Sequence, residues 1–136
     1  MGAWGIGNFE NDFGLDYLFE VEDNLNIDYL MGTIKSCLRE DYLDSDMASE
    51  ALVAIELIAA SKGNPSSDYE VEDNVRIFVE RDLKSQIKKE HLELCEMMID
   101  KVLDKENSEL YELWRESDKY FTDWFDSIQN LKVRLK

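Results

Sequence analysis

The sequence predicts an all-α fold: a single domain of five or six helices packed around one apolar central helix. Three observations carry this. The 136 residues hold one proline and six glycines, three of them within the first seven positions, so the rest of the chain is nearly free of helix breakers. Apolar side chains recur three and four apart through most of the length. Only one short run, Val75 to Val79, alternates as a strand would, and no partner strand accompanies it. A chain of this length fits one domain and can bury a self-sufficient core. With 44% hydrophobic residues, disorder is not expected despite the charge.

Residues 1–11 read as an ordered, Gly-rich arm, because closely spaced glycines cost too much backbone entropy for a helix. Trp4 and Phe9 are the expected anchors of this arm on the helices. Asn11 or Asp12 can cap a first helix, with Tyr17, Leu18, Val21 and Leu25 on its apolar stripe. After a break at Asp23 and Asn24, a second helix over about 26–40 carries Ile27, Leu30, Met31, Ile34, Leu38 and Tyr42.

Asp44, Ser45 and Asp46 form the next cap. The stretch 46–61 is apolar nearly all round, with Glu50 and Glu56 as its charges and several alanines that let neighbours approach, so it is the expected central, most buried helix. Ser61–Ser67 is a loop, with Gly63 suited to a helix C-terminus and Pro65 preventing continuation. Residues 69–83 fit helix or strand and are read as a short helix. A helix over 86–105 places Leu92, Cys95, Met98, Ile99 and Val102 inward. Asn107 and Ser108 then cap a long C-terminal helix, about 108–134. Leu110, Leu113, Trp114, Phe121, Trp124, Ile128, Leu131 and Leu135 lie on one face of it, with Trp114 and Trp124 as structural anchors. Lys132, Arg134 and Lys136 complement the dipole at its end.

The net charge is −16 and unevenly spread. Residues 1–68 hold 14 acidic and 3 basic side chains, a net −11; residues 69–136 hold 17 and 12, a net −5. Such a field repels phosphate backbones and anionic membranes and attracts basic surfaces. Nucleic-acid binding needs clustered Lys or Arg and is not expected. No run of 18 apolar residues and no signal-peptide pattern occurs, and Ile6 stands where a myristoylation motif wants Ser or Thr. Cys37 and Cys95 form no paired motif, so a reducing, cytoplasmic setting with free thiols is expected.

Reaction chemistry finds little support. His91 and Cys95 share a helix face, but two ligands do not make a metal site and no further His or Cys lies near in sequence. Carboxylate pairs such as Glu72 and Asp73 arise by chance in a chain with 31 acids, and no EF-hand loop follows them. Gly2, Gly5 and Gly7 lack the lysine of a phosphate loop and precede Glu10, Asp12 and Asp16, whose charge would meet a phosphate. No catalytic residue, metal or cofactor is expected.

The opening Gly-Ala-Trp-Gly-Ile-Gly-Asn-Phe-Glu-Asn-Asp, residues 2–12, resembles a family of small bacterial cytoplasmic proteins of unknown function that begin with a G-x-W-G-x-G-x-F-x-N-D pattern. Residues 41–52 and 108–117 are similar to the same family. The resemblance implies a stand-alone domain and supplies no activity. Gly14 and Leu15 depart from the small residues such as alanine that the family tends to carry there, which implies a slightly weaker helix start.

The leading expectation is a non-enzymatic acidic protein that binds and neutralises a basic partner, such as a nuclease-type toxin. Glu20, Glu22, Asp23, Asp41, Asp44 and Asp46 are the expected contact residues, because their segment is poorest in Lys and Arg. The alternative is a small-ligand protein or enzyme whose site the arm forms, with Asn8, Asn11, Asp12 and Asp16 as its polar groups. A homodimer joined through the last helix is a further alternative.

Overall fold

The computed structural model describes residues 3–136; Met1 and Gly2, which open the arm and the glycine motif, lie outside the described residues. Seven helices follow the arm: α1 Asp12–Glu22, α2 Ile27–Leu38, α3 Ser45–Ser61, α4 over 73–86, α5 Lys89–Val102, α6 Glu109–Arg115 and α7 Phe121–Arg134. Among the described residues there is no strand, only isolated bridges pairing Ala3 with Asn11 and Leu43 with Ser108. The all-α class is thus observed, with seven helices where five or six were expected.

Local chemistry sets most of the helix starts. The side chain of Asn11 accepts from the Gly14 N–H, that of Asn26 from Tyr29, that of Asp44 from Met47 and that of Ser108 from Tyr111. Each satisfies an amide that the first helical turn leaves without a partner. Two residues past the end of α3 stands Gly63, whose φ of 88° falls in the region that glycine adopts without strain.

Helix α3 packs against each of the other six helices. Every residue from Ala51 to Ala59 is buried. Ala48, Ala51, Ala54 and Ala59 supply the close approaches, and Leu52, Ile55, Leu57 and Ile58 fill the space between neighbours. The branched run Val75 to Val79 is helical and belongs to α4, which contains a π-helical turn at Phe78–Leu83. Val75, Phe78, Val79 and Leu83 all remain buried there, so the core face is kept through the wider turn.

Two expectations need correction. The C-terminal helix is two helices, broken over 116–120. The Ser117 hydroxyl accepts from the Tyr120 N–H, and its carbonyl accepts from Phe121, so a local side-chain partner competes with helix continuation. The break lets α7 fold back so that Trp114 and Trp124 stack, with ring centroids 6.0 Å apart and 14° between planes. Second, Leu25 and Tyr42, placed on apolar stripes, lie just past their helix ends and are exposed. Arg134 stands in the last turn of α7, and in addition it enters a buried ion pair with Glu56. Lys101 serves another helix end: its ammonium donates to the carbonyls of Cys37 (2.8 Å), Leu38 (3.2 Å) and Glu40 at the end of α2.

Candidate functional site

The arm is a closed loop held by its own backbone and by two other parts of the chain, the segment at Asp68 and Tyr69 and the central helix. The Trp4 N–H donates to the Glu10 carbonyl at 3.0 Å and the Glu10 N–H to the Gly7 carbonyl at 3.0 Å. The Phe9 N–H donates to the Asp68 carboxylate at 3.1 Å, and the Phe9 ring meets Tyr69 edge to face. The Asn8 amide reaches inward and donates to Glu56 at 2.7 Å. Glu56 is 2% exposed and also accepts from both terminal nitrogens of Arg134, at 2.8 and 3.0 Å. One carboxylate in the central helix therefore joins the arm to α7.

Gly14 belongs to this closure. A Cβ built there would lie 2.7 Å from the Asn8 carbonyl oxygen and 3.1 Å from the Val53 side chain. The departure from alanine-like residues is thus demanded by the approach of the arm's backbone to α1. Gly14→Ala is expected to lower stability by about 1–3 kcal/mol through overpacking, although alanine is the better helix former by about 1 kcal/mol. A urea midpoint equal to or above that of the parent protein would show that the arm yields at no cost.

Between the arm, α1 and the segment leading into α4 lies a groove of about 650 Å³. Phe9, Leu15, Leu18, Val71 and Val75 contribute its apolar surface. Trp4 and Phe19 also line it, yet are 59% and 67% exposed. Five carboxylates complete it, Glu10, Glu22, Asp68, Glu70 and Glu72, and among the described residues no Lys or Arg lines it. Asp68 and Glu10 are engaged in the arm, the latter accepting from the Gly7 N–H at 3.1 Å. A smaller cavity of about 240 Å³ lies on the other side of the arm, bordered by Asn8, Asn11, Phe13, Leu113, Trp114 and Trp124 among others.

The expected anchors separate. Phe9 and Trp124 are buried, Trp114 is half-buried, and Trp4 is exposed on the groove, contrary to its expected role as a buried pin. A loop residue has no periodic face that sequence could assign, so Trp4 and Phe9 look equivalent until the arm closes. Of the four polar groups assigned to a ligand site, Asn8 and Asn11 are occupied within the fold, Asn11 donating to the Asn8 carbonyl and accepting from Gly14. Asp12 and Asp16 are exposed and line neither cavity.

The six expected contact acids do not form one patch. Glu20, Asp44 and Asp46 surround Glu50, whose carboxyl is held above the usual range by burial first and then by those three charges. Glu22 lines the groove instead. Glu20, Asp23, Asp41, Asp44 and Asp46 are exposed, while Asp44 also caps α3. Glu50 is the member that sequence reasoning missed, because it sits within an apolar helix.

His91 and Cys95 are not assembled into a site. The His91 ring accepts from the Lys88 N–H through Nδ1, closing the start of α5. Burial pushes the Cys37 and Cys95 thiols up to about 12, so neither is a nucleophile near neutral pH. Among the described residues, no three His, Cys, Asp or Glu side chains are placed to share a metal ion, and no helix is long and apolar enough to cross a membrane.

Residues 2–127 match the family described as Domain of unknown function (DUF4259). No curated protein and no solved structure matches the chain.

Proposed function

The chain belongs to the DUF4259 family, and we propose that it serves as a non-enzymatic acidic binding protein that captures a basic protein in the bacterial cytoplasm. A basic nuclease-type toxin is the partner class that best fits, with this chain as its immunity or inhibitor protein. The supporting observation is the distribution of cations. Of the four ion pairs among the described residues, three lie within residues 73–132, and the fourth is the buried pair of Glu56 with Arg134. The exposed carboxylates of residues 1–68 therefore face solvent without an internal counter-ion, where they can steer a cationic partner.

The test starts from the tagged full chain exposed to lysate of its own source cells at low and then moderate salt. The expected result is one basic protein recovered in stoichiometric amount and weakened by salt. Reversing Glu20, Asp23 and Asp46 to lysine, with the capping Asp44 left intact, is expected to slow association with that protein several-fold, with the circular dichroism spectrum retained. Association at the parental rate would remove this surface from the interaction. Recovery of no basic protein at either salt concentration would overturn the reading as a whole.

A further inference from the structure

Resting on the binding function proposed above, we infer that the groove between the arm and α1 is the docking site for an arginine-bearing segment of the basic partner. The groove departs from an ordinary solvated acidic face in its aromatic exposure. Trp4 and Phe19 both line it while 59% and 67% exposed. Large aromatics in a concave site with most of their surface in water are typical of residues that gain a partner on binding. The opposed features of this groove, aromatic faces and carboxylates together, select the occupant's chemistry.

A purely apolar helix would leave Glu22, Glu70 and Glu72 to be desolvated beside it without compensation, which is costly. A lipid surface or a nucleic acid would bring negative charge against five carboxylates. A second copy of this acidic chain would meet the same repulsion. A cation resolves both requirements, since it can lie over an aromatic face and pair with a carboxylate at its edge. Arginine suits this better than lysine. Its planar guanidinium stacks on rings, pairs bidentately with carboxylates, and is more weakly hydrated than an ammonium.

The neighbouring cation does not fill the groove. Arg76 follows the lining residue Val75 in α4, but its guanidinium pairs with Asp73 at 2.7 Å, and neither residue lines the site. Glu22, Glu70 and Glu72 take part in none of the ion pairs among the described residues. The volume of about 650 Å³ exceeds one side chain and admits a short segment presenting two or three. This site is separate from the Glu20, Asp44, Asp46 face: the first would hold the partner, and the second would steer it.

The test uses isotope-labelled full-length protein titrated with three blocked peptides: hexa-arginine, hexa-lysine and hexa-citrulline. The arginine peptide is expected to shift the Trp4 indole resonance and the amides of Leu18, Phe19 and Val71. It should bind at least several-fold more tightly than the lysine peptide, and the uncharged citrulline peptide should not bind. Trp4→Ala and Phe19→Ala remove exposed rings, so both should fold, and each should weaken the arginine peptide at least five-fold. Equal binding of arginine and lysine peptides with Trp4 unmoved, or shifts confined to the face around Glu50, would overturn the groove assignment and leave the charge-based reading standing. Failure of every cationic peptide to bind anywhere would overturn both.

Discussion

Arg134→Met is expected to destabilise the fold by about 3–5 kcal/mol, the range found when one partner of a buried ion pair is removed. Glu56 is 2% exposed and sits in the middle of α3, surrounded on that helix by residues with no polar side chain. Without the guanidinium, the one partner left to it among the described residues is the Asn8 amide at 2.7 Å. A carboxylate so placed is left buried without its cation, which weakens the fold. The loss is not confined to the pair. The Arg134 side chain also donates to the Asn64 carbonyl at 3.2 Å and to the Asn130 side chain at 2.8 Å, whereas the bond from the Asn64 side-chain amide to the backbone carbonyl of residue 134, 3.0 Å, would be kept. The two bonds with Asn64 fix the end of α7 against the loop after α3.

The double variant Glu56→Gln with Arg134→Met separates charge from packing. It retains an acceptor for Asn8 and leaves no uncompensated charge, so it should be more stable than Arg134→Met alone by about 1–2 kcal/mol. Chemical denaturation of the parent, both single variants and the double variant closes the cycle. A double variant as unstable as Arg134→Met, or a single variant within about 0.5 kcal/mol of the parent, would show that the pair is solvated and contributes little.

The same pair marks the boundary of what the sequence could reveal. Asn11, Asp44 and Ser108 were legible as caps because a cap and its amide lie three residues apart. The central helix was legible because it is apolar on nearly every face. Glu56 looked like an isolated charge in that run, and Arg134 like a cation at a helix end, because their partnership spans 78 residues and no local pattern encodes it. The break over 116–120 was hidden for a related reason. Trp114 and Trp124 fall on one face of a continuous helix, and only the fold shows that they meet by stacking across a turn. The groove was least legible. Trp4 and Phe19 come from the first twenty residues and Val71 and Glu72 from a stretch with no regular structure, so their meeting depends on the arm being closed onto Asp68.

Trp124→Ala is expected to cost about 3–5 kcal/mol, the usual penalty for truncating a buried tryptophan to alanine. Its ring is 1% exposed, stacks on Trp114 and meets Tyr111 and Phe121 at centroid distances of 6.2 and 6.1 Å. Beyond its area, this cluster is what holds α6 and α7 together across the break, since Tyr111 and Trp114 lie on one helix and Phe121 and Trp124 on the other. The variant would also open the 240 Å³ cavity that Trp124 borders, so the surrounding rings cannot easily collapse into the space. Fluorescence offers a second readout that stability alone does not. The parent protein has three tryptophans in different settings: Trp124 buried, Trp114 half-buried and Trp4 exposed. Trp124→Ala should shift folded-state emission to longer wavelength, because the solvent-facing Trp4 then dominates, whereas Trp4→Phe should shift it to shorter wavelength. Trp124→Ala should therefore show a lower denaturation midpoint together with the red shift. Loss of the midpoint without that shift would mean that the ring at position 124 is already in contact with water, and the aromatic clasp across 116–120 would have to be assigned to Tyr111 and Phe121 instead.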